Sequence, residues 1–130
     1  MPVTAFIGGK SPLVGAYVDY GTDFTGGSSF SIGGLSYGVE HASRWLYVCV
    51  SFSTTNLRTL SSVTLGGSSC TRVIFKQKDD GSQIANAGIY RVFKPTGTSG
   101  TAIVSLSGFS GIQNGCNVAI YRVIDPGSQA

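Results

Sequence analysis

Residues 46–52, LYVCVSF, alternate with a period of two, so Leu46, Val48, Val50 and Phe52 share one side of an extended chain. Tyr47, Cys49 and Ser51 fall on the other, and Trp45 extends that side. One face in this pattern belongs to a core. The opposite face is apolar enough to predict a central strand covered on both sides. Similar short runs, cut by Gly, Ser and Asp clusters, recur about every ten residues. They are VTAFI (3–7), VGAYVDY (14–20), SSFSIGGL (28–35), WLYVCVSF (45–52), SSVTLG (61–66), CTRVIFKQ (70–77), ANAGIYRVFK (85–94), TAIVSLSG (101–108) and NVAIYRVI (117–124). No segment keeps a 3.6-residue period for three turns. The pattern predicts an all-β chain, an antiparallel β-sandwich of eight or nine short strands, jelly-roll or immunoglobulin-like.

Two connections carry turn chemistry. Asp79-Asp80-Gly81-Ser82 holds the Asp-Gly pair of a tight hairpin, and Gly66-Gly67 divides two further strands in the same manner. The segment GIYRVFKP (88–95) is echoed by AIYRVIDP (119–126). Alternation places Ile89, Arg91 and Phe93 opposite Tyr90 and Val92, and it places Ile120, Arg122 and Ile124 opposite Tyr121 and Val123. The two segments read as equivalent strands, each stopped by a proline that cannot donate to a ladder. A period seen only twice is no tandem-repeat fold. Arg91 and Arg122 are the candidates for a functional pair, because a mid-strand arginine buries its stem and offers a planar fork to a carboxylate.

Composition sharpens the class. Charged residues are 12% of the 130, about half the usual share for soluble domains. Glycine alone numbers 19, and the mean hydropathy is +0.20. A surface so poor in charge is covered by Ser, Thr and Gly or by neighbouring subunits. The net charge of +3 comes from five arginines and four lysines scattered singly, which is not the footprint of a nucleic-acid binder. No run approaches a membrane span, and the start MPVTAFIGGKSP lacks the layout of a secretory signal. Cys49, Cys70 and Cys116 are odd in number and lack metal or redox spacing, so they read as free thilos of a protein made in a reducing cytoplasm.

Catalytic signatures are missing. His41 is the sole histidine, and neither SGFSG (107–111) nor GTSGT (97–101) completes a nucleophile elbow. One His and three separated Cys make no zinc motif, Asp79-Asp80-Gly81 lacks the remaining ligands of a calcium loop, and Asp19 with Asp23 reads as a polar loop before a cation site. The glycine-rich turns lead into strands, not helices, so no phosphate cradle is expected. The expectation is no enzyme, no metal and no cofactor.

SVTLGGSSCTRVIF (62–75) resembles a hairpin of small virion structural proteins of tailed bacteriophages. AGIYRVFKPTGTSGTAIVSLSG (87–108), CNVAIYRVID (116–125) and FSIGGLSYGVEHASRWLYVCVSF (30–52) resemble the strands around it. The resemblance covers residues 30–125 and implies a β-sandwich subunit of a virion, assembled after synthesis in the host cytoplasm. It implies a capsid decoration (cement) protein binding the major capsid protein and copies of itself, with no nucleic acid and no membrane as partners. Residues 1–25 match nothing in that pattern; they are expected as an N-terminal arm and first strands docking on a neighbour, with 26–130 as the sandwich of a single domain. Tyr17, Tyr20 and Phe24 join Arg91 and Arg122 as candidate contacts. The other reading is a tail or fibre module that stacks the rings of VDYGTDF (18–24) on a host glycan.

Overall fold

A computed structural model describes residues 14–24, 28–54, 59–107 and 113–124. The expected strand at 3–7, and with it the arm, lies outside them. Nine strands are present among the described residues: β1 (Val14–Asp23), β2 (Ser29–Ser36), β3 (Arg44–Thr54), β4 (Thr59–Leu65), β5 (Ser68–Ser69), β6 (Thr71–Asp79), β7 (Ile84–Phe93), β8 (Ser99–Ser107) and β9 (Gln113–Ile124). They form two antiparallel sheets, ordered β1-β9-β3-β7-β6 and β2-β8-β4-β5.

The antiparallel pairs are nested: β1 with β9, β2 with β8, β3 with β7, and β4 with β5. A long hairpin wrapped around a core gives this order, so the topology is that of a jelly roll with β6 added at one edge. The immunoglobulin-like alternative is not what forms. β1 is built into the five-stranded sheet, so residues 14–23 belong to the sandwich.

The core follows from alternation. Leu46, Val48, Val50 and Phe52 of β3 meet Phe30, Ile32 and Leu35 of β2 and Val104 of β8, all buried. Burial on this scale stabilises by roughly 1.5–3 kcal/mol per large apolar side chain. β3 is the central strand of its sheet, as its sequence predicts. Its outer face, however, has no second layer over it among the described residues, and Trp45, Tyr47 and Cys49 are half-buried only by their neighbours in the sheet.

β6 is exposed along nearly its whole length, with only Phe75 partly sheltered. The facing sheet ends there in the two-residue β5, so among the described residues no longer strand lies opposite it. Arg72 anchors this edge. Its Nε donates to the Tyr90 hydroxyl (3.0 Å) and one Nη to the Leu60 carbonyl (2.6 Å) across the sandwich.

The repeated Ile-Tyr-Arg-Val flanks β3 on both sides, as β7 and β9. Val48 pairs with Tyr90 on one side and with Ile120 on the other. The two copies are therefore offset by one residue, and a slip of one turns every side chain to the other face. Tyr90 is in the core and Ile89 outside, whereas Ile120 is in the core and Tyr121 outside. The expected equivalence of facing does not hold. Arg91 and Arg122 consequently stand on opposite faces and form no pair; Arg122 donates instead to the Val39 carbonyl (2.8 Å) at the end of the sandwich.

Candidate functional site

The outer face of the five-stranded sheet concentrates the exposed apolar surface. Its side chains lie in cross-strand rows fixed by the register. Tyr17, Tyr121, Tyr47 and Arg91 make one row across β1, β9, β3 and β7. Tyr20, Ala119, Cys49, Ile89 and Ile74 make the next, reaching β6. Beyond it run Thr22, Asn117, Ser51, Ala87 and Lys76. On the other side of the tyrosine row stand Val123, Trp45 and Phe93.

A bulge brings β1 into this arrangement. Tyr17 pairs with Tyr121 but Asp19 pairs with Ile120, which leaves Val18 as the extra residue. Tyr17 and Tyr20, three apart, thereby project from the same face, and Val18 and Asp19 both turn inward. Asp19 then accepts the Ser36 N–H (2.8 Å), while Asp23, four residues on, accepts the Ser31 N–H (2.9 Å). The expected polar loop is thus part of a strand whose two carboxylates cap the free edge of β2 and clasp one sheet to the other.

The aromatic end of the face is organised by ring contacts. Tyr17 and Tyr121 meet edge to face with centroids 5.7 Å apart, and Trp45 and Phe93 are tilted at 5.3 Å. The Arg91 guanidinium lies 5.0 Å from the Trp45 ring centroid, and its Nη1 donates to the Tyr47 hydroxyl at 3.4 Å. Loss of surrounding water, and then the Asp19 charge, hold the Tyr17 hydroxyl above its ordinary pKa. Beside this ridge is a groove of about 670 Å³, floored by Ala119, Cys49, Ser51 and Ala87. Its volume is in the range of sites that take a ligand or a partner's side chains. Tyr20 is 62% exposed and Tyr121 39%, so both rings are open to whatever lies above.

Three of the five candidate contacts, Tyr17, Tyr20 and Arg91, converge here. Phe24 follows β1 and is also exposed, its ring lying against Gly115. Arg122 is elsewhere. Sequence reasoning did not single out Ile89, Phe93, Tyr121 or the small floor residues as contacts. Ile89 and Phe93 were legible as one face of their strand; the rows that join them to Tyr121 depend on cross-strand register.

His41 is in an exposed turn before β3, where its Nδ1 accepts the Ser43 N–H (2.9 Å). Among the described residues no three His, Cys, Asp or Glu side chains gather into a metal-binding group. Burial pushes the Cys70 thiol up to about 11 and the Cys116 thiol up to about 12, and it raises Cys49 as well, so the groove's thiol is a poor nucleophile at neutral pH.

Arg44 is the other feature that alternation alone conceals. Fully buried at the start of β3, it donates through Nε to Lys94 O (2.6 Å), through one Nη to Gly38 O and Val39 O (both 3.1 Å), and through the other to Thr96 O (3.1 Å) and Gly97 O (2.8 Å). Five N–H donors meet five backbone carbonyls. The loops entering β3 and leaving β7 are thereby locked together beneath the aromatic end of the face. No family model, curated protein or solved structure matches this chain.

Proposed function

We propose that this protein is a non-enzymatic subunit of a larger protein assembly, joined to its neighbours through the outer face of the five-stranded sheet. The observation that supports the reading is that face itself: Tyr17, Tyr20, Tyr121, Ile74, Ile89 and Phe93 all remain at least a third exposed on one side of one sheet. Contiguous apolar patches of this kind on a small domain mark sites of protein contact. Tyrosine, tryptophan and arginine at its aromatic end are the residue types that carry binding energy in interfaces.

In the specific form of this reading, the subunit decorates a bacteriophage capsid, bound to the major capsid protein and to copies of itself, and acts by burying surface across junctions of the shell. It rests on the resemblance of residues 30–125 together with the exposed face. The test is co-sedimentation of the purified protein with expanded capsid shells. The native chain and Ile103→Glu, changed on the outer face of the other sheet, should sediment with the shells and raise their heat resistance; Ile89→Glu should do neither. Shells unaffected by the native chain would remove the decoration role.

A carbohydrate-binding module is supported by one observation: Tyr20 and Phe24 are exposed at 62% and 74%, open to stacking on a sugar ring. The nearby carboxylates of Asp19 and Asp23 are already engaged by β2. A glycan array that stays silent removes that reading.

A further inference from the structure

The outer face is a candidate for contact with several kinds of partner, and its register distinguishes among them. The inner strands β9, β3 and β7 are each paired with a neighbour on both sides, so an extended peptide laid across the face would bury its own amides without partners. The occupant must therefore present side chains from a surface whose backbone is already satisfied. Another sheet face does this.

We infer that the occupant is the same face of a second copy of this chain, related by a two-fold axis that runs along β3 in the plane of the interface. This rests on the reading of the protein as an assembly subunit and names the neighbour at that surface. Such an axis keeps every cross-strand row over itself while it carries β7 over β9 and β6 over β1 of the second copy. On β3 itself Trp45, Tyr47 and Cys49 meet their own copies, while on either side a larger side chain faces a smaller one: Ile89 faces Ala119, and Phe93 faces Val123. Arg91 faces the Tyr121 ring, Lys76 faces Thr22, and Ile74 faces Tyr20, so no cation meets a cation. Isologous contacts of this sort are the commonest in protein oligomers.

The size is adequate. Five strands about 4.8 Å apart and four rows about 6.7 Å apart cover on the order of 600 Å² in projection. Corrugated by its rings, the face approaches the ~800 Å² per partner of a standard interface. Two sheets packed in this way lie about 10 Å apart with their strands within about 30° of alignment.

The experiment is sedimentation equilibrium of the full chain over a dilution series, with a size-swap pair chosen for this axis. The native chain should approach twice the 13.5 kDa of one copy. Ala119→Ile should weaken association about tenfold or more by overpacking against Ile89 of the second copy. Ile89→Ala combined with Ala119→Ile should restore it. Within one chain these residues are separated by Cys49 of β3, so the rescue can act only between copies. Ile103→Glu should leave association unchanged. A monomer at every concentration, or a dimer that the single change does not weaken or the double change does not rescue, overturns this pairing. If that monomer still adds to shells through Ile89, the assembly reading stands and the self-pairing falls. A dimer with the rescue but without shell binding supports the pairing and removes the decoration role.

Discussion

The Arg44 guanidinium donates to the Gly97 carbonyl at 2.8 Å, while the N–H of the same glycine donates to the Glu40 carboxylate at 2.6 Å. Two loops separated by more than fifty residues are thus held from both sides of one residue. The Arg44 charge is dispersed over the dipoles of five backbone carbonyls. Burial and then the Arg122 charge press its pKa down, and Glu40 opposes them.

Arg44→Lys is therefore not conservative. Lysine has three donors and no fork, and it would strand buried carbonyls. A loss on the order of 3–5 kcal/mol is expected in urea denaturation. Glu40→Gln, at an exposed carboxylate, should cost within about 1 kcal/mol.

Tyr37 supplies the second prediction. Its ring lies under Arg44 and Lys94, with the two cations 5.7 and 5.9 Å from the centroid, and its buried hydroxyl has no hydrogen-bond partner among the described residues. A Cβ added at Gly66 or Gly100 would run into that hydroxyl oxygen. Tyr37→Phe removes an unsatisfied group and should be neutral or stabilising by about 1 kcal/mol. Gly100→Ala should destabilise by roughly 1–3 kcal/mol in the native chain, and by clearly less alongside Tyr37→Phe. Thermal melts of the four proteins in this cycle check both statements.

The repeated tetrapeptide gives the third. Ile120→Ala empties a fully buried site and should cost about 2–5 kcal/mol. Ile89→Ala, the same residue of the same motif, is 36% exposed on the outer face and should cost under about 1 kcal/mol in the monomer. Equal losses in chemical denaturation would contradict the one-residue offset.

A fourth concerns alkaline pH. Cys116 and Cys70 titrate at about 12 and about 11 in the folded chain, against 9.0 for a free thiol. The folded state thus keeps protons that the unfolded state releases. The stability they contribute is fully present below pH 9 and is lost as pH rises toward those folded values. The raised pKa of Tyr37, caused by burial, adds in the same direction at its own higher range. Denaturation midpoints measured at about pH 8 and about pH 10.5 should fall between the two, and the fall should be smaller for Cys116→Ala.

The strands were legible because nearly every run of alternating residues became one, and the Asp-Gly and Gly-Gly turns fell where positive φ is needed, at Gly81 and at Gly66 and Gly67. The nested pairing was not legible: alternation states which residues share a face, not which strand lies beside which. For the same reason the repeat was misread. Ile-Tyr-Arg-Val has apolar residues on both of its faces, so either can enter a core, and the offset is set by the neighbours of β3. Arg44 was hidden because a charged residue at a strand start ordinarily marks the surface. Of the candidate site, Tyr17, Tyr20 and Arg91 were within reach as aromatic and mid-strand residues, and the rows that unite them were not.

The central claim is that the outer face of β1-β9-β3-β7-β6 is a protein-covered surface. Radical footprinting of Trp45, Tyr47 and Tyr121 in the isolated chain at high dilution and in the intact assembly tests it most directly. All three should lose reactivity on assembly, while Ile103 on the opposite sheet keeps its own. Unchanged labelling of the three rings, with protection elsewhere, would contradict the claim.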